Sequence, residues 1–409
     1  MNSFHPATQP GSASTPLMPD DADRPEFADD SPQRSGRKPR VAVVFGGQSG
    51  EHEISCATAA GVLGAIDRER YDVIPVAIAP DGQWLLVSDQ PENYALRPDG
   101  SGVTISEEEH GLARVALSMS GGLLTVTFPD GHTQDYGQVD VVFPLLHGPG
   151  GEDGTIQGML DLLGVRYVGC GVLASAAAMD KQVTKIMLTA AGIPTAPYVA
   201  VNDERWLTDR AAVLDACQAL DYPVFVKPSR AGSSLGITKV DRREDLEKAI
   251  EIARTVDPKV LVESGIVGRE IEVAVLAGHE PGQTRVAPPG EIVMDASQGA
   301  GEFYDYETKY VAHDAVSMVC PAPMENSERD LLMRTAARAF AAIDGEGLAR
   351  VDFFLTNQGA VIVNEINTMP GFTPFSMYPY MWQVGGLDYS SLVSELIDLA
   401  LERPLSVNR

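Results

Sequence analysis

The run Val41-Ala42-Val43-Val44-Phe45 limits what this chain can become more than any other feature. Unbroken apolar residues leave no face for water, so a strand there is buried on both sides, as in a parallel sheet covered by helices. Its surroundings agree. Gly46-Gly47-Gln48-Ser49-Gly50 is a glycine-rich loop, and Glu51-His52-Glu53-Ile54-Ser55 reads as a helix start. Strand, loop and helix open a βαβ unit. Val73–Ile78 and Val139–Phe143 read as further strands, the second ending at Pro144 and a glycine-dense loop. The first lobe is therefore expected to be doubly wound. Residues 82–137 read as Gly-rich hairpins between those strands.

Residues 1–39 are rich in Pro, Ser, Asp and Ala and lack apolar periodicity, so a disordered tail is expected there. After it, 40–179 reads as the doubly wound, substrate-binding domain. Residues 180–262 read as a central subdomain and 263–409 as a C-terminal catalytic domain. The central part opens with a helical stretch from Met179-Asp180-Lys181 to Ala190, stopped by Gly192 and Pro194. Tyr222–Pro228 reads as a strand with a hairpin partner at Gly236–Val240, and a helix covers about 243–255. The last part begins near Val260–Glu263.

The composition of the 409 residues, 44% hydrophobic and 7% aromatic, suits a globular protein with a proper core. A net charge of −26 disfavours nucleic acid and anionic membrane as partners, though a local basic pocket could still take an anion. The four cysteines form no C-x-x-C pair and suit a reducing compartment. No apolar run is long enough to span a bilayer, and no secretory signal opens the chain, so a cytoplasmic protein is expected.

The residues that carry chemistry gather late in the chain. Val351–Leu355, a turn at Asn357-Gln358-Gly359 and Val361–Asn367 read as a hairpin, with Asp352 opposite Glu365 to within one residue of register. Asn367 shares a face with Glu365 because strand side chains alternate. Like charges set opposite one another destabilise a sheet. Two carboxylates and an amide on one patch instead suit a hard cation, Mg²⁺ before Ca²⁺. An exposed acidic patch is the alternative, and the apolar flanks Phe353, Phe354, Val361 and Val363 speak against it. Arg350 beside that patch suits a carboxylate or a developing oxyanion. The loop Pro370–Ser376 could complete an oxyanion hole with backbone N–H groups. Lys227 ends an apolar strand and precedes Ser229-Arg230-Ala231-Gly232-Ser233-Ser234-Leu235-Gly236, a loop able to hold phosphate, though not in P-loop order. An ordinary hairpin tip is the alternative, but a lysine within a Val/Phe run needs a partner. Lys181 would add a cation, although a lone helix lysine is as a rule a surface residue. Glu263-Ser264-Gly265-Ile266 at the edge of a strand, with Glu270 after it, could read an adenine edge and a ribose, or be a plain loop. His147 could orient a substrate or cap its loop.

Taken together, these segments resemble the ATP-grasp ligases and, within them, the D-alanine–D-alanine ligase family. The matching stretches are G-G-x-S-x-E-H-E-I-S at 46–55, H-G-x-x-G-E-D-G-x-x-Q at 147–157 and M-D-K at 179–181. K-P-S-R-A-G-S-S-L-G at 227–236, F-Y-D-Y-E-T-K-Y at 303–310, R-V-D at 350–352 and N-E-I-N-T-M-P-G-F-T at 364–373 complete them. The resemblance covers about 40–402. It implies an α/β ATP-grasp architecture, with a Rossmann-like first lobe and two α+β lobes clamping ATP. It implies ligation of two D-alanines through an acyl phosphate for peptidoglycan precursors, with two Mg²⁺ ions and Mn²⁺ as a substitute. By the same resemblance Lys181, Lys227 and the Ser233–Ser234 loop hold phosphates. Glu263 and Ile266 meet adenine and Glu270 the ribose, while Asp352, Glu365 and Asn367 hold the metals. Glu51 takes the first ammonium, and Arg350 with the Gly371 backbone takes its carboxylate. Lys309 and Ser376 place the second carboxylate, and Glu51, Ser233 and Tyr310 form a polar line at the attacking amine. His147 lies in that pocket, and a lid over 300–311 excludes water. A homodimer is expected.

Two features depart from the family. Gly265 stands where a bulky residue is frequent, and 1–39 and 82–137 lie outside the shared chemistry. A D-alanine–D-lactate ligase is the near alternative, and Tyr310 favours the amine acceptor. An inactive nucleotide or D-alanine sensor should have lost metal ligands or Arg350, and a carboxylase of the same class should lack the 46–55 and 147–157 motifs together. Deleting residues 1–38 is expected to leave melting temperature and turnover unchanged. Scanning calorimetry on both forms checks this, and a large drop in melting temperature would show that the tail packs on the body.

Overall fold

The computed structural model describes residues 36–97, 100–106, 112–119, 121–232, 235–280, 282–294 and 316–405. The chain divides into Met1–Arg37 and Lys38–Arg409. The tail expected over 1–39 lies, except for its last residues, outside the described residues.

Within Lys38–Arg409, three sheets carry the architecture. The first has the order β6-β5-β4-β3-β2-β1-β7-β8. Its parallel part is β1 (Arg40–Gly46), β2 (Asp72–Ile78), β7 (Val141–Pro144) and β8 (Arg166–Tyr167). Short antiparallel strands extend it: β3 (Trp84–Leu86), β4 (Ala113–Leu117), β5 (Leu123–Thr127) and β6 (Thr133–Gln138). The hairpins expected over 82–137 are these strands. Alternation along β1 feeds two cores. Val41, Val43 and Phe45 pack with Ala59, Val62 and Leu63 of α1 (His52–Ala65) and with the C-terminal helix Tyr389–Glu402. Ala42 and Val44 pack with Ile156, Leu160 and Leu163 of α2 (Thr155–Leu163). All five β1 residues are at most 1% exposed, which is why no polar residue interrupts the run.

The second sheet has the order β11-β10-β12-β9, with β9 (Tyr198–Val201), β10 (Val224–Pro228), β11 (Thr238–Val240) and β12 (Val260–Ser264) all antiparallel. The division expected between 262 and 263 falls inside β12. Val260 and Val262 face the core shared with Trp206 and Ile250, and Glu263 is the next residue of the same strand, turned to the other face. The helical stretch expected from Met179-Asp180-Lys181 to Ala190 is α4 (Lys181–Ala190), and a separate helix, α3 (Val172–Met179), ends just before it. Asp180 separates the two because its carboxylate accepts from the Gln182 and Val183 N–H groups and so caps α4.

The third sheet runs β16-β15-β13-β17-β18, with β14 beside β13. Its strands are β13 (Gly268–Leu276), β14 (Arg285–Val286), β15 (Gly290–Met294), β16 (Val316–Val319), β17 (Leu348–Thr356) and β18 (Val361–Asn367). Val351, Phe353 and Leu355 face a core closed by the helix Asn326–Ala342, while Glu272, Arg350 and Asp352 lie on the opposite face. No helix among the described residues is long and apolar enough to cross a membrane. Burial pushes the Cys217 and Cys320 thiols up to about 11, which keeps them protonated and unreactive.

Phe353 is 1% exposed directly behind the polar residue Asp352. Phe353→Ala is expected to cost about 3–5 kcal/mol of stability through the cavity it leaves, measured by urea unfolding. A loss below about 1 kcal/mol would mean that the sheet collapses onto the gap.

Candidate active site

The first lobe supplies two loops from adjacent strand ends. β1 has β2 on one side and β7 on the other, so the loops leaving β1 and β7 part at a topological switch point, where open α/β sheets bind ligands. Gly46 makes the exit possible. Its φ is +87°, and a Cβ there would run into the Ile78 carbonyl. Hydroxyls stitch the loops together. Ser55 Oγ donates to Leu145 O at 2.5 Å, and Ser49 Oγ donates to His147 O at 2.7 Å. His147 is buried, with Nε2 3.3 Å from Thr58 Oγ1 and Nδ1 3.7 Å from Glu152 Oε1. Glu51 stands at the N-terminal cap of α1. Its Oε2 lies 2.8 Å from where a Gly148 Cβ would be and 3.7 Å from where a Gly232 Cβ would be. Its carboxylate therefore sits between the loop after β7 and the serine-rich loop after β10.

The second lobe brings cations to that loop. Asp180 is its anchor. Lys259 Nζ reaches both Asp180 oxygens at 2.9 and 2.8 Å, Ser229 Oγ donates to it at 2.9 Å, and Lys181 N donates to Ser229 O at 3.0 Å. Burial would push the Asp180 carboxyl up, but the Lys259 and backbone hydrogen bonds hold it below its usual range. Arg230 and Asp257 form a two-pronged pair at 3.0 and 2.7 Å on the same loop. Lys181 Nζ then donates to Ala231 O at 2.7 Å and lies 3.7 Å from Glu365 Oε2. Lys227, Phe225 and Glu263 share one face of the second sheet, with Lys227 Nζ 3.1 Å from Glu263 Oε1. Lys185, one turn after Lys181, lies 2.9 Å from Glu263 Oε2. Burial would raise the Glu263 carboxyl, but attraction to Lys227 and Lys185 holds it below its usual range. Ile266 is half-buried just beyond β12. A Cβ on Gly265 would stand 2.9 Å from the Pro223 carbonyl and 3.1 Å from Phe225 Cε2, so Phe225 and the closeness of β10 exclude a bulky residue there.

The third lobe presents carboxylates. Glu272, Asp352 and Glu365 are paired across β13, β17 and β18, and Glu270 lies two residues before Glu272 on the same face. Asp352 is opposite Glu365, as the hairpin reading required. The register shifts between Asp352 and Phe353, so Asn364 has no partner across the ladder, which makes it a β-bulge. Arg350 lies among these groups, with Nε and one Nη each 2.7 Å from Asp352 and Nε 3.2 Å from Glu272 Oε2. Burial would lower it, but Asp352 and Glu272 keep it well above its ordinary value, so it is charged throughout. Asn367 Nδ2 donates to Asp352 Oδ2 at 2.9 Å. Beyond β18, Thr373 N donates to Ser376 Oγ at 3.1 Å, and a Gly371 Cβ would stand 3.3 Å from that oxygen. Phe372, packed on Phe143 with ring centroids 6.2 Å apart, holds this loop against the end of β7.

The described residues thus run in contact from Glu51 through the Ser229–Gly232 loop and Lys181 to Glu365 and Asp352. Ser233, Ser234, Lys309, Tyr310 and the lid at 300–311 lie outside them. The sequence reading missed Lys185, Lys259, Asp257 and Glu272. Two had a local signal: Lys185 is four residues after Lys181 on a helix, and Glu272 is two after Glu270 on a strand. No three Asp, Glu, His or Cys side chains among the described residues converge on one point. Mg²⁺ needs no such cage, since it binds through one or two carboxylates plus waters and substrate phosphates. Asp352, Glu365 and Asn367 supply hard oxygen donors of that kind beside the lysines, so the residues fit.

A serine-rich loop with its lysines on one α+β layer, set beside oxygen donors on another, is the layout of an ATP-grasp ligase. The family models agree in detail: D-ala D-ala ligase N-terminus matches residues 40–170 and D-ala D-ala ligase C-terminus matches 187–398. The chain belongs to the D-alanine–D-alanine ligase family. It is 54% identical over 368 residues to the D-alanine–D-alanine ligase of Arthrobacter sp. (strain FB24), covering 90% of this chain and 95% of that one. The ligase of Streptomyces coelicolor is 47% identical over 374 residues, covering 90% and 94%. Among solved structures, the VanG D-Ala:D-Ser ligase from Enterococcus faecalis superposes with a TM-score of 0.75 at 33% identity, over 89% of this chain and 100% of that one. The D-alanine-D-alanine ligase from Coxiella burnetii gives 0.73 at 32%, over 90% and 94%.

His147 carries a pH signature. Burial pushes it down, but Glu152, then Glu51, outweigh that and raise it above its ordinary value. A histidine raised on folding adds stability that is fully present below about pH 6.5 and is lost as pH rises through the folded value. Glu152→Gln, which still accepts from Gly148 N, is therefore expected to destabilise the protein more at about pH 6 than at about pH 9. Urea unfolding at both pH values checks the sign, and equal losses would mean that the pair is not ionic.

Proposed function

We propose that this chain joins two D-alanines into D-alanyl-D-alanine at the expense of ATP, for peptidoglycan precursors, in the cytoplasm and as a homodimer. The observation that carries the reading is the contact of Lys181 with both the Ser229–Gly232 loop and Glu365. It joins a phosphate-binding layer to a metal-binding one in a chain with both family halves.

In this reading Lys181, Lys227 and Ser234 neutralise and hold the phosphates. Glu263 and Ile266 meet the adenine and Glu270 the ribose. Asp352, Glu365 and Asn367 would hold two Mg²⁺ ions, or Mn²⁺ in their place. When bound, these neutralise phosphate charge during transfer. Glu51 takes the ammonium of the first D-alanine and Arg350 its carboxylate. That carboxylate attacks the γ-phosphate, giving an acyl phosphate and ADP. A free carboxylate resists an amine, so this activation is what makes the second step feasible. Lys309 and Ser376 place the second D-alanine, with His147 beside it. Glu51, Ser233 and Tyr310 accept the proton that its ammonium must lose before it attacks. Arg350 and the Gly371 N–H stabilise the tetrahedral oxyanion, a contribution of about 3–4 kcal/mol per donor in comparable sites, and its collapse breaks the carbon–oxygen bond to phosphate, which leaves as inorganic phosphate. The lid at 300–311 keeps water from the acyl phosphate.

Phosphate release from ATP with D-alanine, against D-serine, D-lactate and L-alanine, tests the reading. Release with D-alanine alone, and a dipeptide product, is expected. Nucleotide binding without release would make the chain a sensor. Glu365→Gln is expected to lower turnover about a hundredfold or more, roughly 2.7 kcal/mol of barrier, with melting temperature unchanged. Near-full activity at limiting Mg²⁺ would remove Glu365 from the metal site.

A further inference from the structure

Lys185 is 1% exposed, and the mechanism above does not use it. Its Nζ lies 2.9 Å from Glu263 Oε2 and 5.8 Å from the centre of the Tyr198 ring. Lys227 holds the other oxygen, Oε1, at 3.1 Å. Two buried ammonium groups thus share one carboxylate that is itself 3% exposed. Taking an ammonium out of water is costly without an anion, so the extra cation calls for a purpose.

Charge and position together suggest one. The functional reading, on which this inference rests, gives Lys227 to the nucleotide phosphates and Glu263 to the base. A phosphate draws Lys227 away from Glu263. Lys185, fixed on α4 with its amine buried, then remains as the counter-ion of the carboxylate. We propose that Lys185 is a positioning residue for base selection: it keeps Glu263 ionised and aimed, so the carboxylate accepts the exocyclic amine of adenine and rejects a purine bearing oxygen there. The chemistry is asymmetric. An ionised carboxylate only accepts hydrogen bonds, whereas a protonated one also donates. Adenine offers an N–H donor at that position, and hypoxanthine offers an oxygen acceptor. Burial alone favours the protonated carboxyl, the form that would tolerate either base. Burial lowers Lys185, attraction to Glu263 opposes this, and repulsion from Lys227 adds to it. That repulsion weakens when Lys227 turns to phosphate, so the Lys185–Glu263 pair gains from nucleotide binding.

The test is direct binding of ATP and ITP to the full chain by titration calorimetry. Lys185→Met leaves Glu263 paired with Lys227, so buried charge stays balanced. It is expected to reduce the preference for ATP over ITP by about tenfold or more, the size of an unmatched buried polar contact. Glu263→Gln presents an amide that can serve either base and should itself erase the preference. Adding Lys185→Met to Glu263→Gln should then change the preference by less than about twofold, because Lys185 acts through Glu263. A folded Lys185→Met protein with the wild-type preference overturns the proposal. So does an equal loss for both nucleotides, which is what a merely structural lysine would give. Lys185→Arg keeps the cation and should keep the preference. If Lys185→Met does not fold, a folded Lys185→Arg protein that has lost the preference overturns the proposal. Because the readout is binding, a chain that selects ATP but ligates nothing would sink the ligase reading and leave this inference standing.

Discussion

One extra residue decides which face of the third sheet Glu365 takes. Val361 and Val363 point into the core, and by strict alternation Glu365 would follow them. A carboxylate there would be buried beside Val351 and Phe353, at a cost no partner in that core could offset. Because Asn364 bulges out of the ladder, Glu365 turns to the other face and Ile366 takes the core position instead. The same shift sets Glu365 opposite Asp352 and within 3.7 Å of Lys181. Bulges sit beside active sites because they re-aim one side chain without disturbing the rest of the sheet, and this one does that for the residue on which both layers of the site converge.

Charge is partitioned by layer. The second sheet and α4 contribute Lys181, Lys185 and Lys227, with Glu263 as the internal counter-ion of the last two. The third sheet contributes Glu270, Glu272, Asp352 and Glu365 around Arg350. An overall charge of −26 is therefore no obstacle to holding a polyphosphate, because the lysines are gathered on one layer and the carboxylates on another. Asp257, Asp180 and Lys259 do different work. They tie the stem of the Ser229–Gly232 loop to the start of α4, so the loop and Lys181 are positioned together.

Features written in local pattern were legible in the sequence. The β1 run announced a strand buried on both sides, and the Asp352/Glu365 hairpin could be aligned from its turn. What could not be read depended on contacts distant in sequence. Asp180 reads as one more helical residue until Lys259 and Ser229 are seen to hold it in place as a cap. Glu263 was assigned to the last lobe because its chain neighbours lead there. Its ladder partners Phe225 and Tyr198 put it in the second sheet. Lys185 escapes a sequence reading because its partner Glu263 is 78 residues away along the chain. Periodicity shows which face a residue takes, but not which other face it will meet.

Arg350 illustrates why such meetings matter for mechanism. Its fork takes both oxygens of Asp352, and Asn367 Nδ2 adds a second donor on Oδ2, so Oδ1, with two lone pairs and one of these donors, is the oxygen better able to face a cation. Placing a divalent cation beside a guanidinium is repulsive, and an isolated Arg–Asp pair would resist it. Glu272 and Glu365, on the same face, change that balance. With three carboxylates around one guanidinium the local charge is negative before any cation arrives, so a metal relieves repulsion among the acids as well as meeting it from the arginine. Glu272 also holds Arg350 by a second contact, at 3.2 Å. The guanidinium is therefore held to the strand by two carboxylates, not by Asp352 alone. In the proposed reading, one short strand segment, Arg350-Val351-Asp352, would serve a carboxylate and a metal at once, with Val351 between them anchored in the core.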